Sequence, residues 1–217
     1  MLYQQEYNKD MAKKLIIAPH ADDEALGCGG ILDKDSFVYY CGIDESRVQP
    51  DPAHRIPAAE REKEVKAVAD FLGFQYEIDH ESKVNHFAVQ EFIGKIENLI
   101  NRIKPEMIFI PHPGYNQDHQ AVFKACQTAL RPHDKNFFVK KVLVYEAIHD
   151  FIWSYGRFCP NYFIPVDIER KNKAYLLHKS QVRGFRSPEM IESLAKIRGA
   201  MCSHRHAEAF QIQRWVE

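Results

Sequence analysis

The sequence predicts an α/β fold, specifically a single-domain, Rossmann-like three-layer sandwich built on a mostly parallel sheet. Short apolar runs alternate with amphipathic segments of helical period, which is the pattern of repeated strand–helix units. The first predicted strand, 14–18, is continuously apolar after Lys14, as expected of a parallel strand buried on both faces. The 217 residues suit one domain with a sizeable core, so we expect a single domain over 1–217 with a polar lead-in at 1–13.

The individual elements follow from apolar spacing and from turn residues. Strands are predicted at 14–18, 37–41, 75–78, 107–110 and 142–145. Helices are predicted at 25–32, 58–72, 87–103, 119–130, 168–181 and 188–201. Asp22 or Asp23 is placed to cap the first helix. Residues 42–57 hold three prolines and are predicted to be a long functional loop. Residues 146–165 are read as irregular and aromatic, lining a pocket or packing in the core or against another subunit.

Composition and charge exclude several classes of function. The formal net charge of −1 gives no global basic field for nucleic acid. No apolar run approaches the roughly 20 residues of a membrane span. The polar N-terminus lacks the apolar core of a signal peptide, so a cytoplasmic protein is expected. The cysteines are scattered and odd in number, which argues against a disulfide framework, and most are expected to be buried thiols: Cys28, Cys41, Cys126, Cys159 and Cys202.

Two clusters of His and Asp side chains follow predicted strands directly. The first is His20-Ala21-Asp22-Asp23-Glu24, and the second runs from Pro111 through His112 to Asp118-His119. Open α/β sheets hold their ligands at such strand ends, and His and Asp are zinc ligands. The alternative without a metal site is that these carboxylates only cap helices and the histidines lie on surface loops. Burying so much negative charge without a cation would be costly, so a metal-dependent hydrolase is favoured.

The residue types also suggest which side chains bind the metal and which one acts on the bound water. His20 and one of the two aspartates can bind a metal together while the other aspartate faces the bound water. The third ligand must come from elsewhere, and His119 is the best candidate. Asp118 beside it could orient an imidazole ring, as carboxylates around metal sites commonly do.

At these residues the chain resembles the LmbE-like, or PIG-L, family of zinc-dependent N-deacetylases. The resemblance also covers residues 61–73, and more weakly Arg198-Gly199 and 207–210, which are similar to a branch associated with carbohydrate pathways. It implies one zinc ion per chain held by His20, Asp23 and His119. It implies that Asp22 is the general base for the zinc-bound water, which attacks the acetyl amide. Mixed His/Asp sites also accept other divalent transition metals.

One position departs from the family pattern. Many members carry a histidine three positions before the last zinc ligand, whereas this chain has Asn116. An amide can donate a hydrogen bond to an oxyanion but cannot carry a proton. Asn116 could therefore keep the role in weakened form, or His112 could reach in from the same loop. Asp118 then loses its usual partner.

The resulting prediction is an enzyme that removes an N-acetyl group from an amino sugar, free or linked to a nucleotide or glycan. Two alternatives stay open: an amidase for another small N-acyl conjugate, and a zinc- or sugar-binding protein weakened in catalysis by Asn116. Four further side chains are candidates for substrate binding, each with solvated loop charge, packing or a salt bridge as the alternative: Arg47, Arg55, Tyr115 and Glu208. A homo-oligomer is one expectation for the aromatic segment.

Overall fold

A computed structural model describes residues 12–45, 56–153 and 158–217 of the chain. One seven-stranded sheet runs through them in the order β3-β2-β1-β4-β5-β7-β6. The first five strands are parallel, whereas β7 is antiparallel to both β5 and β6. The strands are β1 (Lys14–Ala18), β2 (Ser36–Tyr40), β3 (Gln75–Ile78), β4 (Met107–Pro111), β5 (Lys141–Tyr145), β6 (Tyr162–Pro165) and β7 (Ala207–Trp215).

Helices cover both faces of this sheet. They are α1 (Asp23–Cys28), α2 (Ala58–Leu72), α3 (Val89–Ile103), α4 (Gln117–Ala129), α5 (Ile148–Ile152), α6 (Ile168–Tyr175) and α7 (Pro188–Ala200), with a 3₁₀ turn at Lys179–Gln181. Alternate residues of β1 point to opposite layers: Leu15 and Ile17 join the cluster with α3 and α4, while Ile16 and Ala18 join the cluster with α2. The predicted three-layer α/β sandwich with a mostly parallel sheet is confirmed.

Most N-terminal elements form where the sequence predicts them, and the C-terminal ones differ more. The helix predicted at 25–32 begins two residues earlier, at Asp23, and ends at Cys28. The bounds of β1, β3 and α2 agree with prediction to the residue. The segment read as irregular contains α5 and β6, and β7 was not predicted at all. The predicted helix over 168–181 ends at Tyr175, and a separate 3₁₀ turn follows at Lys179–Gln181. The long loop at 42–57 lies largely outside the described residues, which resume at Ile56.

The strand order has a switch point between β1 and β4. The chain leaves β1 toward β2 on one side, and β4 lies against β1 on the other, so the order reverses between β1 and β4. Ligands of open α/β sheets bind in the crevice outside the carboxyl ends at such a switch point. Both His/Asp clusters start there. Within the part of the chain that the structure describes, no helix is long and apolar enough to cross a membrane.

Candidate metal centre and active site

Asp23 is the point at which the two clusters meet. It opens α1 directly after β1, and its side chain is 1% exposed. Its Oδ2 atom lies 3.4 Å from His20 Nδ1 and 3.1 Å from His119 Nε2. The backbone N–H of His20 donates to the same oxygen at 2.9 Å. One carboxylate oxygen therefore faces two imidazole nitrogens, one from each strand end.

Asp118 holds the other side of the His20 ring. His20 Nε2 and Asp118 Oδ2 are 3.0 Å apart. The backbone N–H groups of Asn85 and Phe87 also donate to Asp118, so this carboxylate is fixed from three directions. The arrangement leaves Nδ1 of His20 turned toward Asp23 and matches the carboxylate–histidine pairs that orient metal ligands.

The charges around His20, Asp23 and His119 favour the binding of a cation. Burial alone would lower the pKa of His20, but hydrogen bonds and charge from Asp118 and Asp23 raise it to about 9. Burial would likewise raise the pKa of Asp23, yet the charge of His119 and the hydrogen bonds from both imidazoles hold it well below its usual range. The two carboxylates thus remain ionised and attract positive charge.

The donor set fits a divalent transition metal. Among the described residues, His20, Asp23 and His119 each offer one ligand atom, and these atoms all lie within 4.8 Å of one another. Two imidazole nitrogens and one carboxylate oxygen are the ligand types that zinc takes in catalytic sites, where three protein ligands leave a position open. Within the described part of the chain, the ion-pair partners of Asp23 are the imidazoles of His20 and His119.

Asp22 stands beside this centre in a strained backbone conformation. Its φ of 130° is in the region that L-residues rarely adopt. Asp22 was one of the two residues predicted to cap α1, but its side chain makes no capping hydrogen bond. Asp22 Oδ2 instead accepts from Arg186 Nη1 at 2.9 Å. Burial raises the pKa of Asp22 despite the opposing charge of Arg186. The strained turn therefore directs a buried carboxylate, with raised proton affinity, away from the helix end that it precedes.

A second buried layer supports that turn. Glu24 Oε2 accepts from the backbone N–H of Asp22 at 3.1 Å, and Glu24 Oε1 lies 2.6 Å from His178 Nε2. Burial opposes a charge on His178, but Glu24 raises its pKa above the ordinary value. Arg61 donates to the carbonyl of Ala21. The conformation of the first motif is thus held by side chains from α2 and from the loop after α6.

The second motif places its remaining residues around α4. Asn116 is the N-cap, and its side-chain oxygen accepts from the Asp118 backbone N–H at 2.8 Å. His112 Nδ1 accepts from the Gly114 N–H at 3.2 Å, and its ring packs edge-on against Phe158. Tyr115 is 41% exposed at the rim. The amide oxygen of Asn116 is therefore committed to the cap, and His112 is tied into its own loop.

α5 brings a histidine that the sequence analysis did not single out. The rings of His149 and His119 meet edge-on with centroids 5.4 Å apart. Burial lowers the pKa of His149 to about 4, so its imidazole is neutral. His119, His149 and Asp150 form a second set of atoms close enough together to hold a metal ion. The signal was available, because Ile148-His149-Asp150 follows a predicted strand just as the two motifs do.

The other candidates lie apart from this group or outside the described residues. Glu208 is buried in an ion pair with Lys171 at 2.6 Å and accepts from the Gly30 N–H at 2.7 Å, which corresponds to the salt-bridge alternative. Arg47 and Arg55 fall outside the described residues. Cys28, which lies close to the first motif, is fully buried, and burial holds its pKa well above the ordinary value. It is an inert thiol, as expected of a buried cysteine.

We expect the Lys171–Glu208 pair to contribute to stability. Lys171 Nζ also donates to the carbonyl of Leu26, so the pair joins α6 and β7 to the end of α1. Lys171→Met should lower the free energy of unfolding by about 3–5 kcal/mol, because the charge of Glu208 is left buried without a positively charged partner. Urea unfolding measures this change. The exposed Lys196–Glu192 pair supplies the control, since Lys196→Met should have little or no effect.

A double variant separates charge from packing. Replacing both members, with Lys171→Met and Glu208→Leu together, should recover most of the stability lost in the single variant. Wild-type stability in Lys171→Met alone would show that water reaches Glu208 and that the pair is not needed.

The fold and site together define a class of α/β proteins that carry a group of potential metal ligands, two histidines and an aspartate, at the switch point of a mostly parallel sheet. Comparison with known proteins narrows this class. The sequence model of the PIG-L family, described as GlcNAc-PI de-N-acetylase, matches residues 15–130, which is more than half of the chain. The chain belongs to this family, and the resemblance seen in the sequence is confirmed.

Individual relatives extend the likeness over nearly the whole chain. Diacetylchitobiose deacetylase of Thermococcus kodakarensis is 27% identical over 226 residues, covering 94% of this chain and 84% of the relative. The structure of N,N'-diacetylchitobiose deacetylase from Pyrococcus horikoshii superposes with a TM-score of 0.76 at 22% identity, covering 95% of this chain and 85% of that one. The 4-carboxy-2-hydroxymuconate hydratase of Pseudomonas putida shares the fold at a TM-score of 0.73 and 17% identity, covering 95% and 99% of the two chains.

Proposed function

We propose that this protein is a metal-dependent N-deacetylase, a hydrolase that removes the acetyl group from an N-acetylated amino sugar. The observation that carries the proposal is the convergence of His20, Asp23 and His119 beside the buried carboxylate of Asp22. A site built only to bind a sugar has no need of a carboxylate base beside a metal. Membership of a de-N-acetylase family and likeness to diacetylchitobiose deacetylases support the acetamide as the group attacked.

In this proposal His20, Asp23 and His119 hold a zinc ion, with Asp118 fixing the His20 ring. A bound zinc ion supplies Lewis acidity, polarising the amide carbonyl and making water easier to deprotonate. Asp22 takes a proton from the attacking water as the water oxygen bonds to the acetyl carbon. The C–N bond then breaks, and the same proton passes from Asp22 to the amine nitrogen. The products are a free amino sugar and acetic acid, which loses its remaining proton to solvent to give acetate.

Arg186 completes the role proposed for Asp22. Its guanidinium lies 2.9 Å from the carboxylate, and its side chain is 25% exposed, so it reaches the base from the solvent side. The ion pair fixes which way the carboxylate points, while burial keeps its affinity for a proton high. Both properties suit a group that must accept a proton and then return it within one reaction.

The fold alone does not select this chemistry, because a hydratase of a carboxylated muconate shares it. The amidase alternative keeps the same site and changes only the acyl conjugate. The alternative of a binding protein weakened by Asn116 predicts bound metal without turnover.

Acetate release tests the proposal directly. Zinc-loaded protein should release acetate from at least one member of a panel of N-acetyl sugars, chitooligosaccharides and nucleotide-linked N-acetyl sugars, and chelation of the metal should abolish release. An enzyme-coupled acetate assay measures it, with a parallel panel of N-acyl amino acids covering the amidase alternative. Stoichiometric zinc with no release from either panel would overturn the proposal.

A further inference from the structure

The ring of His149 lies between the metal centre and the exposed rim of the site. On one side it packs edge-on against His119, with ring centroids 5.4 Å apart. On another it meets the half-exposed ring of Tyr115 at 6.3 Å. His149 therefore adjoins one proposed metal ligand, His119, and one residue at the rim, Tyr115.

The nitrogen atoms of this imidazole are not taken up by the surrounding described residues. Nδ1 is buried and has no hydrogen-bond partner among them. Nε2 lies 3.8 Å from Asp150 Oδ1, which is beyond hydrogen-bond distance. A neutral imidazole has one N–H donor, and here no described residue accepts it. A buried N–H group that makes no hydrogen bond costs free energy. A bound ligand that offers an acceptor to this imidazole would remove that cost.

The backbone that carries His149 is firmly anchored. Asp150 Oδ2 accepts from the Ala147 N–H at 3.0 Å and fixes the start of α5. The loop of the second motif packs directly on the same carboxylate, because a Cβ at Gly114 would lie 2.2 Å from Asp150 Oδ1. The backbone position of His149 is thus fixed before substrate arrives, and its ring packs against His119 and Tyr115. Such preorganisation is what electrostatic catalysis requires.

We propose that His149 is a catalytic residue of the deacetylation, donating its N–H to the amide carbonyl oxygen of the substrate as negative charge develops there. This inference rests on the proposed function, because it assumes that the reaction is a deacetylation. The position of the His149 ring beside His119 does not depend on that assumption. No change of protonation at His149 is needed, since the N–H donates without being transferred. On this account His149 serves the substrate, and the second set of potential metal ligands, which includes His149, is not a second metal site.

Three measurements on His149→Ala and His149→Gln test the assignment, with His80→Ala as the control at an exposed histidine. Removing one oxyanion donor should lower kcat for acetate release by about 100- to 1,000-fold in His149→Ala while KM changes little. His149→Gln retains an N–H donor and should recover part of that loss. Zinc affinity, measured by competition with a chelator, should equal that of wild type in both variants.

The third measurement needs no turnover and no knowledge of the sugar. Methylphosphonate resembles the tetrahedral form of an attacked acetyl group, and calorimetry gives its Kd for the zinc-loaded protein. His149→Ala should raise that Kd about 10- to 100-fold, the effect of losing one hydrogen bond to a charged oxygen. An unchanged Kd would overturn the proposal, and so would a loss of zinc in His149→Ala. Absence of acetate release by wild type would instead count against the proposed function.

Discussion

Asp22→Asn is expected to lower kcat for acetate release by about 10³-fold, within the range that a general base contributes, while zinc remains bound. The amide of asparagine cannot take a proton from water or return one to the amine. It does keep the shape of the side chain and an oxygen that can accept from Arg186, which lies 2.9 Å from the carboxylate. The loss should therefore fall on the chemical step and leave the surroundings in place.

The choice of asparagine matters because of the backbone. Residue 22 has a φ of 130°, and Asn and Asp tolerate positive φ better than other side chains with a Cβ. Alanine at this position would combine loss of the base with added strain, and a fall in activity would then have two causes. Asp134→Asn makes the same change from carboxylate to amide in an exposed loop and serves as the matched control.

Steady-state kinetics and bound zinc per chain decide the outcome together. Retained zinc, an unchanged melting temperature and a large fall in kcat would support a base at Asp22. Wild-type kcat in Asp22→Asn would place the base elsewhere. A loss of zinc along with activity would show that Asp22 helps to hold the metal, and its role would need to be reassigned.

The first half of the fold could be predicted because its signals are local. The strand β1 and the helix α2 carry their own pattern, an apolar run in one and helical spacing ended by Gly73 in the other. The strand β7 has no comparable signal. It forms because it pairs antiparallel with both β5 and β6, partners that are far away in sequence. Pairing of this kind depends on tertiary context, which overrides local preference.

Some residues of the candidate site could be predicted from local sequence and others could not. The side chains that follow β1 and β4 were identified from strand ends and ligand chemistry, and the structure brings His20, Asp23 and His119 together. Arg186 could not be identified, because it reaches Asp22 from 164 positions along the chain and stands in a segment with no metal or catalytic pattern. His149 could have been found by applying the strand-end rule to β5 as well.

His119→Ala is expected to abolish stoichiometric zinc binding and, with it, acetate release. His119 supplies one of three protein ligands, and its Nε2 atom lies 3.1 Å from the carboxylate of Asp23. Removing it leaves His20, in the turn after β1, and Asp23, at the start of α1, which are only three positions apart in the chain. Two ligands hold a zinc ion far less firmly than three, so dialysed protein should carry much less than one zinc per chain. Metal analysis and chelator competition measure the change.

Asp118→Asn provides a graded companion to this variant. Asp118 is not one of the proposed ligands, but its Oδ2 atom lies 3.0 Å from Nε2 of the His20 ring. Changing such a partner typically costs about 10- to 100-fold in metal affinity. Zinc affinity should therefore fall in the order wild type, Asp118→Asn, His119→Ala, with His80→Ala equal to wild type.

The order of these affinities tests the assignment of ligands more strictly than any single loss. Zinc binding should also raise the melting temperature of wild type, because a ligand that binds only the folded state stabilises it by about 2.7 kcal/mol at 100 times its Kd. The increase should shrink in the same order across the variants. Wild-type affinity and one zinc per chain in His119→Ala would mean that the metal is held by other residues. The arrangement of Asp118, His20 and Asp23 would then need another explanation, since its carboxylates would still surround a buried imidazole that burial alone would leave uncharged.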